Sequence, residues 1–185
     1  MMLWLWILIA AILVIVALAF VIYYNRFIVL ENRIDNSLAQ IDVQLKKRAD
    51  LVPNLMNTVK GYAKHEKGIM NDVTAARKAL MSAGDIQKRV KAGAELQNAL
   101  RSVFALAENY PQLRANENFL QLQQELSAIE ERIAYSRQYY NDSILSYNNS
   151  VEMFPGAFFA RLYNKKEREM LQIAAEERVL PKVEF

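Results

Sequence analysis

The sequence contains no cysteine among its 185 residues. Disulfide bonds, thiolate catalysis, cysteine-ligated zinc and a lipid-modified N-terminal cysteine are therefore excluded. Its single histidine, His65, is equally limiting. A di-iron carboxylate bundle needs two Glu-x-x-His pairs and a zincin helix needs two histidines, so neither metal site can be built. We expect His65 to be a surface residue of a lysine-rich turn and not a catalytic base.

Glycine and proline are also scarce, with five glycines and four prolines in the chain. Few positions are left for loops, which favours an all-α protein. The sequence has no P-loop, no dinucleotide fingerprint and no glycine run that could hold a phosphate. Glu125, Glu130 and Glu131 are carboxylates of a predicted helix and are expected on its outer face. We therefore predict no catalytic, cofactor-binding or metal-binding residues and no enzyme activity.

Charge is missing from the first 25 residues, since Arg26 is the first charged side chain. A helix needs about 20 apolar residues to cross about 30 Å of hydrocarbon, so residues 1–25 are predicted to be a transmembrane anchor. Ala17-Leu18-Ala19 has the form of a signal-peptide cleavage site. The apolar run continues beyond Ala19 and no basic residue precedes it, which favours an anchor that is not cleaved.

Basic residues follow the anchor and do not precede it. Arg26 and Arg33 therefore place the soluble part in the cytoplasm by the positive-inside rule, with the opposite side as the alternative. Aromatic residues at both ends of the anchor are typical of the membrane interfaces: Trp4, Trp6, Tyr23 and Tyr24. The formal net charge of +3 is too small to indicate a nucleic-acid partner.

Apolar periodicity after the anchor predicts four helices and a tail. No glycine or proline separates the anchor from the first of these helices, so one helix is predicted to run through both. Asp50, Asp85 and Asn116 are the predicted N-caps of the second, third and fourth helices. Pro53 lies in the first turn of the second helix. The alternative is a proline kink within one long helix. Gly61 and Gly68, inside the second helix, indicate a close approach between helices. The predicted domains are the anchor, 1–25, the helical part, 26–155, and the tail, 156–185, with helices at about 26–49, 51–81, 85–109 and 116–154.

The fourth helix has the strongest apolar pattern and is of the coiled-coil type. Tyr140-Asn141 and Tyr147-Asn148 lie seven residues apart. They predict buried phenols with amides beside them, either a structural polar layer between helices or a ligand pocket. The buried face of this helix is predicted to contain Phe119, Leu122, Leu126, Ile129, Ile133, Tyr140, Tyr147 and Phe154.

The tail begins with aromatic residues and becomes basic. This pattern fits a segment on the membrane surface or a cap at the end of the helical domain. The last residues, 178–185, are predicted to be extended and able to dock on a neighbour. Lys46-Lys47-Arg48 is assigned a structural role, with Asn54 facing the helical core.

Seven sequence blocks are distributed over most of the chain. They are IDVQLKKRADLVPNL (41–55), VKGYAKHE (59–66), NYPQLRANENFLQLQ (109–123), YND (140–142), YN (147–148), EMFP (152–155) and PKVEF (181–185). Together with Tyr24-Asn25 at the end of the anchor, these blocks resemble the LemA family of bacterial membrane proteins. The chain differs from the family where 162–165 replaces a segment that usually contains Gly-Phe.

The resemblance implies one membrane helix followed by an antiparallel, up-and-down four-helix bundle in the bacterial inner membrane. It implies no catalytic role and no cofactor, and it links the chain to membrane organisation. We therefore predict a membrane-anchored scaffold that forms homo-oligomers or binds other membrane proteins. The alternative is a sensor that binds a small molecule or a lipid in the bundle or at the aromatic tail.

Overall fold

A computed structural model describes residues 2–63 and 65–171. Within these residues every regular element is a helix, which confirms the all-α prediction. The extended segment predicted at 178–185 lies outside the described residues. The helices are α1 (Met2–Tyr62), α2 (Lys67–Ser82), α3 (Ile86–Ala107), α4 (Pro111–Arg114), α5 (Glu117–Glu152) and α6 (Gly156–Leu162).

The chain divides into two compact units, Met1–Ser37 with Tyr139–Met170 and Leu38–Gln138 with Leu171–Phe185. Helices α1 and α5 contribute residues to both. The core of the first unit includes Phe27, Leu30, Ile34, Ile144 and Tyr147. The core of the second unit includes Ile41, Leu45, Leu55, Leu96, Leu100, Leu113 and Phe119.

Helix α1 contains one segment that is long and apolar enough to cross a membrane. Every side chain from residue 2 to residue 18 is exposed. Burying that much apolar surface in lipid is strongly favourable, whereas leaving it in water is not. The segment is therefore compatible with a single-pass membrane anchor.

The predicted helix start at Asp50 is wrong, because α1 continues through Pro53 to Tyr62. Asp50 is exposed inside the helix, and Asn54 is also exposed and does not face the core. Proline has no N–H to donate to the carbonyl four residues earlier, here that of Ala49. Arg77 of α2 fills this vacancy, since its Nε donates a hydrogen bond of 2.8 Å to the Ala49 carbonyl. The tertiary contact thus makes a proline acceptable within the helix.

The compensation at Pro53 can be tested by a pair of substitutions. Arg77→Met should lower the free energy of unfolding by about 1–2 kcal/mol, because it leaves the Ala49 carbonyl unsatisfied. In a Pro53→Ala background the new N–H of residue 53 can bond that carbonyl, so the effect of Arg77→Met should fall by at least half. Urea unfolding followed by circular dichroism measures both effects. Equal losses in the two backgrounds would show that Arg77 acts through another contact.

The predicted second helix, 51–81, is also wrong, because a turn separates the end of α1 from the start of α2. A Cβ atom built on Gly61 or Gly68 meets no atom within 4 Å, so neither glycine permits a close helix approach. Gly93 of α3 does so instead. A Cβ there would lie 2.6 Å from Cδ2 of Leu45, which places α3 directly against α1.

The helix starts that depend on side-chain capping agree with the predictions. Asp85 Oδ1 accepts a hydrogen bond of 2.8 Å from the Lys88 N–H. Asn116 Oδ1 accepts one of 3.0 Å from the Phe119 N–H. Each acceptor satisfies an amide of the first turn that has no partner within the helix. Between them, Pro111 begins the short helix α4.

Most of the predicted apolar face of α5 is buried. Phe154 is the exception, because the helix ends at Glu152 and the Phe154 side chain is 89 % exposed. Leu122 is only half-buried. The heptad pattern of the sequence extends to Phe154, two residues beyond the end of the helix. The buried members are Phe119, Leu126, Ile129, Ile133, Tyr140 and Tyr147.

Candidate functional site

His65 lies in the turn after α1 and is exposed, as predicted. Among the described residues no three histidine, aspartate or glutamate side chains are grouped so that they could hold a metal ion. The polar clusters of the structure lie elsewhere, two in the second unit and one in the first.

Two of the family-like blocks meet at one end of the second unit. Tyr110 Oη donates a hydrogen bond of 3.2 Å to Glu66 Oε1. Asn116 Nδ2 donates one of 3.1 Å to the hydroxyl of Tyr62. The pKa of Tyr110 is raised, mainly by the hydrogen bond to Glu66 and to a smaller extent by desolvation. These contacts join the end of α1 and the turn after it to the connections on either side of α4. The sequence blocks, read separately, did not reveal this structural role.

Arg48 is the largest buried polar side chain of the second unit, with only 2 % of its surface exposed. Its Nη1 donates to the Gly93 carbonyl at 3.1 Å, and its Nη2 forms an ion pair with Glu130 of α5. Burial, and to a lesser extent the charge of Arg101, lowers the pKa of Arg48 to about 10. The guanidinium therefore remains charged at neutral pH and links α1, α3 and α5.

The ion pair corrects one prediction and supports another. Glu130 was expected on the outer face of its helix, but it is half-buried and paired with Arg48. The structural role assigned to the Lys46-Lys47-Arg48 segment belongs to Arg48, whereas Lys46 and Lys47 are exposed. Sequence reasoning missed the pair because its members lie 82 residues apart.

An open groove of about 380 Å³ lies between α1 and α5 in the second unit. Near it, Gln44 Oε1 is buried and has no hydrogen-bond partner among the described residues. Charged and uncharged polar side chains line this groove. Its walls are formed by Gln40, Gln44, Glu131, Arg132, Tyr135 and Ser136.

The tyrosine layer predicted on the fourth helix lies in the first unit and is buried. Tyr147 Oη donates a hydrogen bond of 3.4 Å to Glu31 Oε1. The ring of Phe27 packs edge-on against Tyr147, with 6.3 Å between centroids. On another side, the guanidinium carbon of Arg168 lies 5.5 Å from the centre of the Tyr147 ring. The surroundings of Tyr147 are thus occupied by the protein's own side chains.

The segment after α6 contributes Arg168 to these surroundings, and it makes further polar contacts beside them. Lys165 Nζ lies 2.8 Å from both carboxylate oxygens of Glu31. Asn148 forms two hydrogen bonds with the backbone of Arg168, at 2.9 Å and 3.0 Å. The Tyr147-Asn148 pair therefore holds the tail against α5, while Glu31 holds it against α1. No periodic signal could have related Glu31 to Lys165, which is 134 residues away.

Burial, then the negative charge of Glu31, raises the pKa of Tyr147, whereas Arg168 and Lys165 oppose the shift. A folded-state pKa above the unfolded value of about 10 contributes stability below pH 10, which is lost as the pH rises through the folded-state value. Tyr147→Phe should therefore make unfolding less dependent on pH in the alkaline range. Urea unfolding at a series of alkaline pH values measures this, with the exposed Tyr135→Phe as the control. The same alkaline profile for wild type and Tyr147→Phe would contradict it.

Comparisons with known proteins identify several relatives of this chain. Magnetosome protein MamQ of Magnetospirillum gryphiswaldense is 23 % identical over 172 residues, covering 79 % of this chain and 63 % of that protein. Magnetosome protein MamQ 2 of Paramagnetospirillum magneticum is 23 % identical, covering 80 % and 64 %. This chain thus spans less than two thirds of the length of these relatives.

Protein LemA of Metamycoplasma hominis is 27 % identical over 128 residues, covering 67 % of this chain and 57 % of that protein. The family model described as the LemA family matches residues 37–185. That match contains both family-like blocks that meet around Tyr62 and Tyr110, together with the Tyr147-Asn148 pair. The chain belongs to the LemA family.

Proposed function

We propose that this chain is a non-enzymatic, membrane-anchored scaffold protein that associates with further copies or with other membrane proteins. The observation that carries the proposal is the continuity of α1. This single helix of 61 residues begins with an exposed apolar segment and continues into core positions such as Phe27 and Ile41. The same helix thus carries both a surface suited to the membrane and faces that pack in the helical part, as a membrane-anchored scaffold requires.

The proposal includes the arrangement of the helices in the second unit as an antiparallel four-helix bundle. Contacts from α1 to three other helices support it. Arg77 of α2 bonds the Ala49 carbonyl, Arg89 of α3 pairs with Asp42 at 2.7 Å, and Glu130 of α5 pairs with Arg48. Such a bundle offers long helix faces for binding a second copy, as scaffolds require.

We further propose that the anchor crosses a bacterial inner membrane once, with the helical part in the cytoplasm. Arg26 and Arg33, immediately after the apolar segment, support this side. Membership of the LemA family supports a role in membrane organisation. The bilayer and other membrane proteins are then the partners, and no cofactor is required.

The absence of cysteine makes the sidedness directly testable. Tyr135→Cys places a thiol at an exposed site of α5, and Met2→Cys places one at the N-terminal end of the anchor. A membrane-impermeant maleimide should label position 2 in intact spheroplasts and position 135 only after permeabilisation. The reverse labelling would place the helical part outside the cytoplasm.

Self-association is tested on the full chain reconstituted in lipid nanodiscs or extracted in mild detergent. Native mass spectrometry should show discrete oligomers, and cross-linking in intact membranes should trap the same stoichiometry. A protein that stays monomeric throughout the micromolar range, and that gives no cross-linked species in membranes, would contradict the scaffold proposal.

The second candidate function, a membrane-tethered sensor, is favoured by the groove beside Gln44. Its ligand would be a small polar molecule, since the walls carry both an arginine and a glutamate. A sensor requires a compound that raises the melting temperature of the wild type but not of an Arg132→Ala, Tyr135→Ala variant. A scaffold requires no such compound. If the protein is only a scaffold, the Arg132→Ala, Tyr135→Ala variant can alter nothing but its association with other copies or membrane proteins.

A further inference from the structure

The inward face of α6 is fixed to the end of the apolar segment of α1. The ring of Phe159 stacks on that of Tyr23, with 4.5 Å between centroids and 8° between planes. Phe159 also meets Phe20 edge-on at 5.1 Å. Next on the chain, Tyr163 Oη donates a hydrogen bond of 3.0 Å to the Phe20 carbonyl. These contacts hold α6 beside residues 20–24 of α1.

The segment from residue 153 to residue 162, which includes α6, also carries exposed apolar side chains. Four large side chains there are between 57 % and 89 % exposed. Soluble surfaces seldom group apolar side chains of this size without a partner, and such a group indicates a contact with another apolar phase. We name this group the apolar corner; it consists of Met153, Phe154, Phe158 and Leu162.

The position of the apolar corner along α1 identifies its partner. A helix rises about 1.5 Å per residue, so a span of about 30 Å that begins near Met2 ends close to Val21. Phe20 and Tyr23, which hold α6, are therefore at the boundary between hydrocarbon and headgroups. Aromatic side chains such as Tyr23 and Tyr24 favour that boundary.

We infer that the apolar corner is seated in the interfacial layer of the same bilayer that α1 crosses. The protein then contacts the membrane at two places, a spanning helix and a short helical segment beside it. This inference rests on the membrane anchoring given under Proposed function. It assigns the tail a lipid-contacting surface instead of only a capping role.

The charges beside the apolar corner fit the same partner. Arg161 is exposed immediately before Leu162 of the corner, and Arg26 is exposed on α1. Long basic side chains can place their apolar stems in the interface while their charged ends reach lipid phosphates. A second copy of the chain, the other possible occupant, would have to reach the corner at the depth where lipid already surrounds α1.

Site-directed spin labelling tests the inference on the full chain, because the chain has no cysteine of its own. Single cysteines replace Phe158 and Leu162 of α6, and further ones replace Leu13 and Leu145 as references. Leu13 lies in the apolar segment of α1, and Leu145 is an exposed leucine of α5 in the same unit as the corner. Each labelled protein is reconstituted in vesicles of phosphatidylethanolamine and phosphatidylglycerol, and its helicity is checked by circular dichroism.

The measurement is the accessibility of each nitroxide to oxygen, which concentrates in lipid, relative to a water-soluble nickel chelate. We expect the ratio at 158 and 162 to exceed that at 145 severalfold and to approach that at 13. A ratio at 158 equal to that at 145, with a high value at 13, would overturn the inference while the anchor stands. Low accessibility of 158 to both reagents would mean burial against a second copy and would also overturn it. Accessibility ratios typical of water at both 13 and 158 would contradict the proposed membrane anchor and the inference together.

Discussion

Glu130→Ala is expected to lower the free energy of unfolding by about 3 kcal/mol, because it leaves the guanidinium of Arg48 buried without its counter-charge. Arg48 is almost completely buried, and besides Glu130 it bonds only a neutral carbonyl among the described residues, that of Gly93. Desolvation of an uncompensated charge outweighs the loss of the few carboxylate contacts themselves.

The matched control for this prediction is the next residue on the chain. Glu131 is exposed, so Glu131→Ala should change the free energy of unfolding by less than about 0.5 kcal/mol. Replacing both partners with apolar side chains of similar volume, Arg48→Met with Glu130→Leu, should bring stability back to within about 1 kcal/mol of the wild type. Urea unfolding of the full chain in detergent measures all three variants. If Glu130→Ala and Glu131→Ala behave alike, the ion pair contributes nothing to stability.

Gly156→Ala is expected to have an effect of similar size, about 3 kcal/mol, through steric overlap. A Cβ on Gly156 would lie 2.2 Å from the Ser150 carbonyl oxygen. This oxygen belongs to the backbone of α5 and cannot move away as the end of a side chain can. The substitution must therefore displace α6 from α5, and with it the Phe159 and Tyr163 contacts to α1.

Gly68→Ala is the matched control, because no atom lies within 4 Å of its added Cβ. Alanine is favoured over glycine in a helix by about 0.5–1 kcal/mol, so this variant should be slightly more stable than the wild type. Thermal unfolding compares the two, and limited proteolysis reports cleavage near the α5–α6 connection. Gly156→Ala with wild-type stability and no new cleavage would show that the turn can rearrange without cost.

Gly93 shows why the kind of atom approached matters. Its added Cβ would lie 2.6 Å from Leu45, but the atom concerned is the end of a side chain. Leu45 can rotate to relieve part of the overlap, whereas the Ser150 carbonyl cannot. The close approach that the sequence assigned to Gly61 and Gly68 is thus made by glycines without any local signal of their role.

Local patterns in the sequence were sufficient for the helical class, the apolar segment of α1, the caps at Asp85 and Asn116, and the buried tyrosines of α5. Each of these depends on residues within about two turns of one another, such as a cap and the amides that follow it. The resemblance to the LemA family also depends on the sequence alone, and the match of the family model to residues 37–185 confirmed it.

Only the tertiary structure decided the features that join distant segments. Arg77 makes Pro53 acceptable inside α1, Glu130 neutralises Arg48, and Glu31 binds Lys165. Their partners lie between 28 and 134 residues apart, and no periodicity connects such positions. Sequence thus determined the helical class and the helix starts at Asp85 and Asn116, because these depend on near neighbours. Which faces meet, and what each buried polar group needs, depends on packing, because desolvated carbonyls and charges must find partners wherever the fold brings them.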